Sequence, residues 1–237
     1  MDRFYRRRMN PPGMKNFEVV IEESDLYILA DTDIRERAFC ALEKVRFDLK
    51  NYIKNDPLFQ TTLKAHNVPD NAPAIVREMA EVTSVFDVGP MASVAGAVAK
   101  YVGMSLDPYC SRLIIENGGD IYIKSSEPVV SGIWAGEHSP FSDKLKFRVD
   151  PGGKPLGICT SSRTVGPSLS LGNADAVVTI AECPIVADAA ATFAGNMVKC
   201  ADDIETAINK EIEYNMLKGI IIIIGDRIGA EGDFEFI

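Results

Sequence analysis

The feature that most constrains the fold is a run of five isoleucines, Ile220 to Ile224, enclosed by Gly219 and Gly225. β-Branched residues favour strands, and glycines on both sides are typical of strand boundaries. The run is far shorter than the roughly 20 apolar residues that a membrane-spanning helix requires. It therefore predicts a buried β-strand.

The other predicted elements fall into groups of strands and groups of helices. Phe17 to Ile21 and Leu26 to Ala30 are β-rich runs joined by acidic turn residues, which predicts an opening hairpin. Apolar residues at three- and four-residue steps predict a helix from Ile34 to about Ile53, capped by Asp31 or Thr32. Further strands are predicted at Arg112 to Ile115, Ile121 to Lys124, Val129 to Ala135, Leu145 to Val149, Gly157 to Thr160 and Ala176 to Ala181. Further helices are predicted at about Ala74 to Thr83, Pro90 to Val102, Pro184 to about Val198, and Ala201 or Asp202 to about Leu217, with Ile220 to Ile224 as the last element.

This grouping indicates the α+β class, with a mixed or antiparallel sheet packed against helices. The chain has 237 residues, of which 46% are hydrophobic, and it contains no internal repeat or linker. One domain of this size can bury a sizeable core. We therefore expect a single domain over residues 1–237, with residues 1–15 as a basic amino-terminal arm.

Charge and cysteine content exclude several classes of function. The net charge of −9 argues against a nucleic-acid or anionic-membrane surface, because both need clustered cations. The arginines at the start could hold an anion, or form a solvated basic arm. They are Arg3, Arg6, Arg7 and Arg8.

The five cysteines show no Cys-x-x-Cys pair, so neither a disulfide framework nor a zinc cluster is expected. No apolar signal segment follows the arginines, and we expect a cytoplasmic protein.

A glycine turn is the first candidate site. Asn117, Gly118, Gly119 and Asp120 lie between two β-rich runs. Paired glycines permit positive φ and let a ligand contact bare backbone amides. The alternative is a hairpin whose glycines only reverse the chain.

A helix that carries Asp188 and Thr192 is the second candidate. The two residues are four positions apart and therefore share a helix face, among alanines. A carboxylate and a hydroxyl are hard oxygen ligands for a divalent cation. The alternative is structural, with Asp188 favouring the helix dipole and Thr192 bonding back to a carbonyl.

A hydroxyl-rich segment from Gly157 to Gly172 is the third candidate. Thr160, Ser161 and Ser162 could hydrogen-bond phosphates, or belong to a solvated connection. Cys159 could act as a nucleophile if Arg163 stabilised its thiolate, or could be buried and inert. Neither histidine lies in a metal-ligand spacing, so a histidine-dependent triad is hard to assemble.

Taken in order, the segments ENGGDI, GICTSS and ADAVVTIAECPIVADAAATFAGN resemble the ApbE superfamily, and in particular a short ApbE-like branch of archaea and anaerobic bacteria. Characterised members are magnesium-dependent flavin transferases that attach FMN from FAD to a protein threonine. The resemblance implies that Asp188 and Thr192 bind Mg²⁺ and that the Gly118 to Asp120 turn contacts the flavin. The Ser-His-Ile-Ile-Asp-Pro box of these transferases is absent, and Gly166 to Leu169 stand in its place.

Three functions follow from these observations. The first is a protein that binds a flavin or nucleotide-type ligand with Mg²⁺ and FAD or FMN, and transfers a group to a protein acceptor, with Asp188 as a candidate catalytic residue. The second is a non-flavin enzyme or accessory protein of anaerobic sulfur metabolism that uses Cys159. The third is a non-catalytic ligand-binding protein with the same pocket.

Overall fold

The computed structural model describes residues 3–9, 11–163 and 171–237. Its strands are β1 Lys15–Ile21, β2 Ser24–Ala30, β3 Leu113–Asn117, β4 Asp120–Lys124, β5 Val129–Gly132, β6 Lys146–Val149, β7 Pro155–Ser161, β8 Ala176–Ala181, β9 Gly219–Ile224, β10 Arg227–Gly232 and β11 Glu235–Phe236. Its α-helices are α1 Arg35–Asn55, α2 Leu58–Thr61, α3 Ala74–Val85, α4 Val94–Leu106, α5 Pro184–Met197 and α6 Asp203–Glu213. Three short 3-10 helices lie at Phe4–Arg8, Pro90–Ser93 and Asp107–Tyr109.

Eight of the strands form one antiparallel sheet in the order β1-β2-β3-β4-β7-β8-β9-β10. A second sheet has the order β11-β6-β5 and is also antiparallel. The isoleucine run lies in β9, between β8 and β10, and its first four side chains are buried. The expected α+β class, with an antiparallel sheet packed against helices, is confirmed.

The large sheet separates two apolar layers, because successive side chains of a strand point to opposite faces. In β3, Leu113 and Ile115 pack with the helices. Ile114 points the other way, into a core that includes Phe147 and Val149 of the small sheet. We call these the helix face and the small-sheet face. A residue's position in its strand therefore fixes which layer it enters.

Small residues let α4, α5 and β7 approach one another closely. A Cβ added to Gly96 of α4 would lie 2.4 Å from the carbonyl oxygen of Pro184, the first residue of α5. A Cβ added to Gly157 of β7 would lie 2.4 Å from the Pro184 Cα. The start of α5 is thus held between a second helix and the sheet, which brings together two of the candidate segments, the Asp188/Thr192 helix and the hydroxyl-rich segment that begins in β7.

Several predicted boundaries were wrong. Two strands, β10 and β11, follow the isoleucine strand that we predicted to be last. Ile34 is the residue that precedes α1, and it makes no side-chain cap, so neither Asp31 nor Thr32 caps this helix. The predicted helix from Pro90 begins as a 3-10 turn and becomes α-helical at Val94.

No single helix in the described ranges is long and apolar enough to span a membrane. One bent pair, Ala74–Val85 with Pro90–Tyr109, meets the length and composition criteria only when its two parts are combined, with a bend of 101° between them. Both parts contribute buried side chains to the helix-face core, among them Val76 and Val102.

Candidate functional site

The glycine turn joins β3 to β4 as a two-residue hairpin. Gly118 and Gly119 have φ values of +69° and +108°, a region that residues with a Cβ rarely adopt. The turn is flanked by Asn117 and Asp120, which pair across the two strands. The Asn117 amide donates to the Ala95 carbonyl of α4 at 3.1 Å, so the turn is tied to the helix layer.

Asp188 of α5 lies on the same side of the sheet. Its Oδ2 accepts a hydrogen bond from the Gly96 amide at 2.8 Å. Loss of water around the carboxylate raises the Asp188 pKa to about 7, despite backbone hydrogen bonds that act in the opposite direction. Near neutral pH, this group can therefore exist in either protonation state.

Asp120 lies close enough to Asp188 for their charges to interact. Its side chain is buried on the helix face, and its Oδ1 accepts the Thr160 amide at 3.2 Å. Burial, and then the negative charge of Asp188, raise the Asp120 pKa well above its usual range. Two carboxylates in a desolvated site cannot both carry unbalanced charge. This pair therefore favours the binding of a proton or a cation, because either one compensates the negative charge.

Thr192 lies on the same face of α5 as Asp188. Its hydroxyl donates to the Ala92 carbonyl at 3.3 Å, across to the 3-10 turn before α4, rather than back to its own helix. No group of three or more His, Cys, Asp or Glu side chains suited to a metal occurs within the described ranges. The available donors are two carboxylates and a hydroxyl. This set fits Mg²⁺, which typically takes one or two carboxylates and completes its shell with water and substrate phosphates.

The three predicted phosphate-binding hydroxyls do not converge. Strand alternation in β7 places Thr160 on the small-sheet face and Ser161 on the helix face, the face that also carries Asp120. The Ser162 hydroxyl is buried and donates to the Asp175 carbonyl at 2.6 Å. Ser161 alone therefore has its side chain on the face of the acid pair. The rest of the hydroxyl-rich segment, residues 164–170, lies outside the described residues.

Cys159 is fully buried beneath the acid pair. Its thiol donates to the Pro184 carbonyl at 3.4 Å, and burial followed by the charges of Asp120 and Asp188 raises its pKa well above the usual range. Arg163, the expected partner, is exposed and donates to Asn173 at 2.7 Å. This environment disfavours the thiolate that a nucleophile needs.

The amino-terminal arginines do not form a uniformly solvated arm. Arg7 is exposed, but Arg6 is only 5% exposed and its Nε donates to Glu116 Oε2 at 2.7 Å. The Tyr5 hydroxyl donates to Glu116 Oε1 at 2.8 Å. Glu116 belongs to β3, next to the glycine turn, and is almost completely buried on the small-sheet face. The only sequence signal for this contact was an acidic residue within a run of buried aliphatic ones.

Glu116 also changes the interpretation of the turn. Its Oε1 accepts the Gly119 amide at 2.9 Å, so this amide is not the bare donor that the sequence predicted. The two histidines lie elsewhere: His66 Nε2 is 2.7 Å from Asp56 Oδ2, and His138 is exposed. The chemical groups at the candidate site are therefore the acid pair, Thr192, Ser161 and the turn.

Comparison with known proteins supports the resemblance found in the sequence. A family model described as AbpE bacteria matches residues 6–216. A UPF0280 protein of Methanocella arvoryzae is 37% identical over 219 residues, which cover 92% of this chain and 89% of the relative. A UPF0280 protein of Methanothrix thermoacetophila is 40% identical over 200 residues, which cover 84% and 83%.

Solved structures give the same result for the fold. The apo flavinyl transferase ApbE of Pseudomonas stutzeri superposes with a TM-score of 0.59 at 13% identity, covering 93% of this chain and 94% of that chain. The ApbE protein of Thermotoga maritima gives a TM-score of 0.60 at 11% identity, with coverage of 93% and 97%. At these identities the likeness concerns the fold alone.

Proposed function

The chain belongs to the family described as AbpE bacteria, and on that premise we propose that it binds a flavin nucleotide, FAD or FMN, together with Mg²⁺. The observation that carries the proposal is the pair of buried, interacting carboxyl groups formed by Asp120, at the end of the glycine turn, and Asp188 of α5. A divalent cation neutralises two neighbouring carboxylates and attracts the phosphates of a nucleotide. Metal and nucleotide binding are therefore expected to reinforce each other.

The residues around the pair have separate roles in this proposal. Asp188 and Thr192 would hold the metal, with Asp120 at its other side. The Asn117 to Asp120 turn would contact the flavin, since Gly118 and Gly119 carry no side chains of their own and their backbone can approach a ligand closely. Ser161 is the hydroxyl of the predicted phosphate set that faces the pair, and it would contact the nucleotide phosphates.

We further propose that bound FAD is a substrate for transfer of its FMN group to a protein acceptor: an acceptor hydroxyl oxygen bonds to the FMN phosphorus, the pyrophosphate bond breaks, AMP leaves, and the hydroxyl proton is released. Mg²⁺, when bound, would polarise the pyrophosphate and stabilise the charge that develops on it. Asp188 is the candidate catalytic residue of this chain, because it would hold the Mg²⁺ against the pyrophosphate that reacts. The buried thiol of Cys159 has no part in this proposal.

Flavin binding by the purified chain tests the proposal. Quenching of flavin fluorescence gives the Kd of FAD and FMN with and without Mg²⁺. We expect Mg²⁺ to tighten binding, and Asp188→Ala and Asp120→Asn to remove that gain. Asp31→Asn is the matched control, because Asp31 also accepts backbone amides, from Ser111 and Arg112, at the opposite end of β3.

Two results would contradict the proposal. The first is the absence of flavin binding by the wild-type chain at every Mg²⁺ concentration. The second is a gain from Mg²⁺ that survives in both Asp120→Asn and Asp188→Ala, which would place the metal elsewhere. If Asp31→Asn also abolished the tightening of the flavin Kd by Mg²⁺, to the same extent as the site variants, the effect would be one on general stability.

A further inference from the structure

We propose that Glu116 is a positioning residue of the ligand site, held by Tyr5 and Arg6 of the amino-terminal segment, residues 3–9, and that it fixes the glycine turn in its ligand-binding conformation. This inference rests on the proposed function for the identity of the ligand. It gives a role in the ligand site to the amino-terminal segment, which lies on the opposite face of the sheet from Asp120 and Asp188. The sequence indicated that its arginines could hold an anion, but not that their partner is Glu116 beside the glycine turn.

The contacts form a continuous path from the amino-terminal segment to the turn. The Arg6 guanidinium donates to Glu116 and also forms an ion pair with Asp25 at 2.6 Å. Glu116 in turn accepts the Gly119 amide. Arg6 is 5% exposed and Glu116 is 1% exposed, so water competes little for these hydrogen bonds. Charge-assisted hydrogen bonds in such surroundings are stronger than those between neutral groups.

The amino-terminal segment also covers the tip of the turn. The Arg3 guanidinium donates to the Asp25 carbonyl at 2.6 Å, and its Nη2 lies 3.7 Å from the position that a Cβ on Gly118 would take. Gly119 faces Thr160 on the same side, with 4.0 Å between its Cβ position and the Thr160 Cβ. Each glycine thus has one side chain at van der Waals distance from its Cβ position, and the second glycine also donates its amide to Glu116.

The turn needs this support because of its own flexibility. Two consecutive glycines with positive φ have more accessible conformations than any other pair of residues, and ordering them costs entropy. A hydrogen bond from the second glycine to a fixed carboxylate reduces that freedom before a ligand arrives. Ligand affinity then rises, because less ordering remains to be done on binding. Glu116 would act in this way without contacting the ligand.

The experiment compares Glu116→Gln, Arg6→Lys and Tyr5→Phe with the wild-type chain. Arg112→Lys is the matched control, since Arg112 is also a partly buried arginine that pairs with an acidic residue, Glu127, and it precedes β3 at the end of the strand opposite the glycine turn. Amide exchange of Gly119 is measured without ligand, and the flavin Kd is measured with Mg²⁺, both at a temperature where every variant is fully folded.

We expect Gly119 exchange to become faster in Glu116→Gln on the order of tenfold, and the flavin Kd to rise by a similar factor. Arg6→Lys should produce a smaller change in the same direction, and Tyr5→Phe the smallest. The control should lower the melting temperature without changing either quantity, which separates positioning from a general loss of stability. Amides of the buried strands β8 and β9 report global stability, so the change in Gly119 exchange is compared with the change in theirs for each variant.

The failures of the two proposals are distinguishable. If the wild-type chain binds no flavin, the proposed function is wrong, and Gly119 exchange still reports whether Glu116 orders the turn. If Gly119 exchange is unchanged in Glu116→Gln, the positioning role is wrong even where flavin binds. Faster exchange with an unchanged flavin Kd would also overturn it, since the order of the turn would then be irrelevant to the ligand.

Discussion

Asp188 accepts a hydrogen bond from the Gly96 amide although the two residues are 92 positions apart in the chain. The contact exists because α4 has no side chain at this position. A Cβ on Gly96 would lie 2.9 Å from the Asp188 Cβ and 2.4 Å from the Pro184 carbonyl oxygen. The close approach of α4 and α5 therefore positions the Asp188 carboxylate, one member of the acid pair.

Gly96→Ala should disturb both stability and the site. The new methyl group must push α4 from α5, which we expect to lower the free energy of unfolding by about 1–3 kcal/mol. It should also weaken Mg²⁺-dependent flavin binding, because Asp188 would lose its backbone donor. Urea unfolding and flavin titration measure the two effects.

Gly132→Ala is a suitable control for this substitution. Gly132 has open space around its Cβ position and no positive φ. The free energy of unfolding should change little in this variant, and flavin binding should be unaffected. Equal losses in the two variants would show that the α4–α5 contact is not the cause.

The acid pair predicts a pH-dependent response to Mg²⁺. The Asp188 pKa of about 7 in the folded chain is above its ordinary value of 3.8. Its contribution to stability is therefore present in acid and is lost as the pH rises through about 7. Mg²⁺ binds the ionised form, so it should raise the melting temperature more at pH 8 than at pH 6.

Asp188→Asn tests the origin of this response. The variant cannot ionise at position 188, so the dependence of the Mg²⁺ effect on pH near 7 should disappear, while Asp31→Asn should keep it. A melting temperature that responds equally to Mg²⁺ at pH 6 and pH 8 in the wild-type chain would show that the cation does not bind the pair.

Local patterns were sufficient to predict most of the fold. The hairpin of β1 and β2, the helix α1 and the isoleucine strand each have a periodicity or a pair of boundary residues within one short segment. The strand β10 was missed for a physical reason. Its sequence, RIGAEG, contains two glycines and is largely exposed at the edge of the sheet, so it shows no alternation.

The candidate site could be predicted only in part. The glycine turn and the Asp188/Thr192 helix face are local features, and the order of motifs in the ApbE superfamily indicated that they meet. The Arg6–Glu116 contact joins residues 110 positions apart, and although each residue stands out in its own segment, no local pattern pairs the two. The division of Thr160 and Ser161 between two faces follows from strand alternation once β7 is known to continue through Ser161.

Thiol reactivity should differ sharply among the cysteines. Cys40 and Cys200 are exposed, whereas Cys159 is buried and has a pKa well above its usual range because of burial and the nearby carboxylates. Iodoacetamide at neutral pH should therefore label Cys40 and Cys200 first and Cys159 only on unfolding. Peptide mass spectrometry over time measures the rates. Labelling of Cys159 at the rate of the exposed thiols would revive the hypothesis that it is a nucleophile.

A second buried acid, Glu211 of α6, should limit the stability of the chain. Its side chain is fully buried, and neither carboxyl oxygen has a hydrogen-bond partner among the described residues. Burial raises its pKa to about 8, well above the ordinary value of 4.5. An unpartnered buried polar group costs about 1–3 kcal/mol. Glu211→Leu should therefore raise the free energy of unfolding at neutral pH.

The pH dependence of that gain identifies its cause. Because the folded pKa is above the unfolded one, the wild-type chain loses stability as the pH rises from the ordinary range of a carboxyl group through about 8. The slope for one proton is about 1.4 kcal/mol per pH unit. The advantage of Glu211→Leu, measured by urea unfolding, should accordingly grow between pH 5 and pH 9.

Asp120 and Asp188 titrate in both proteins, so their effects cancel in the difference. An advantage that stays constant with pH would mean that Glu211 is already ionised in the folded chain, or that packing alone separates the two proteins.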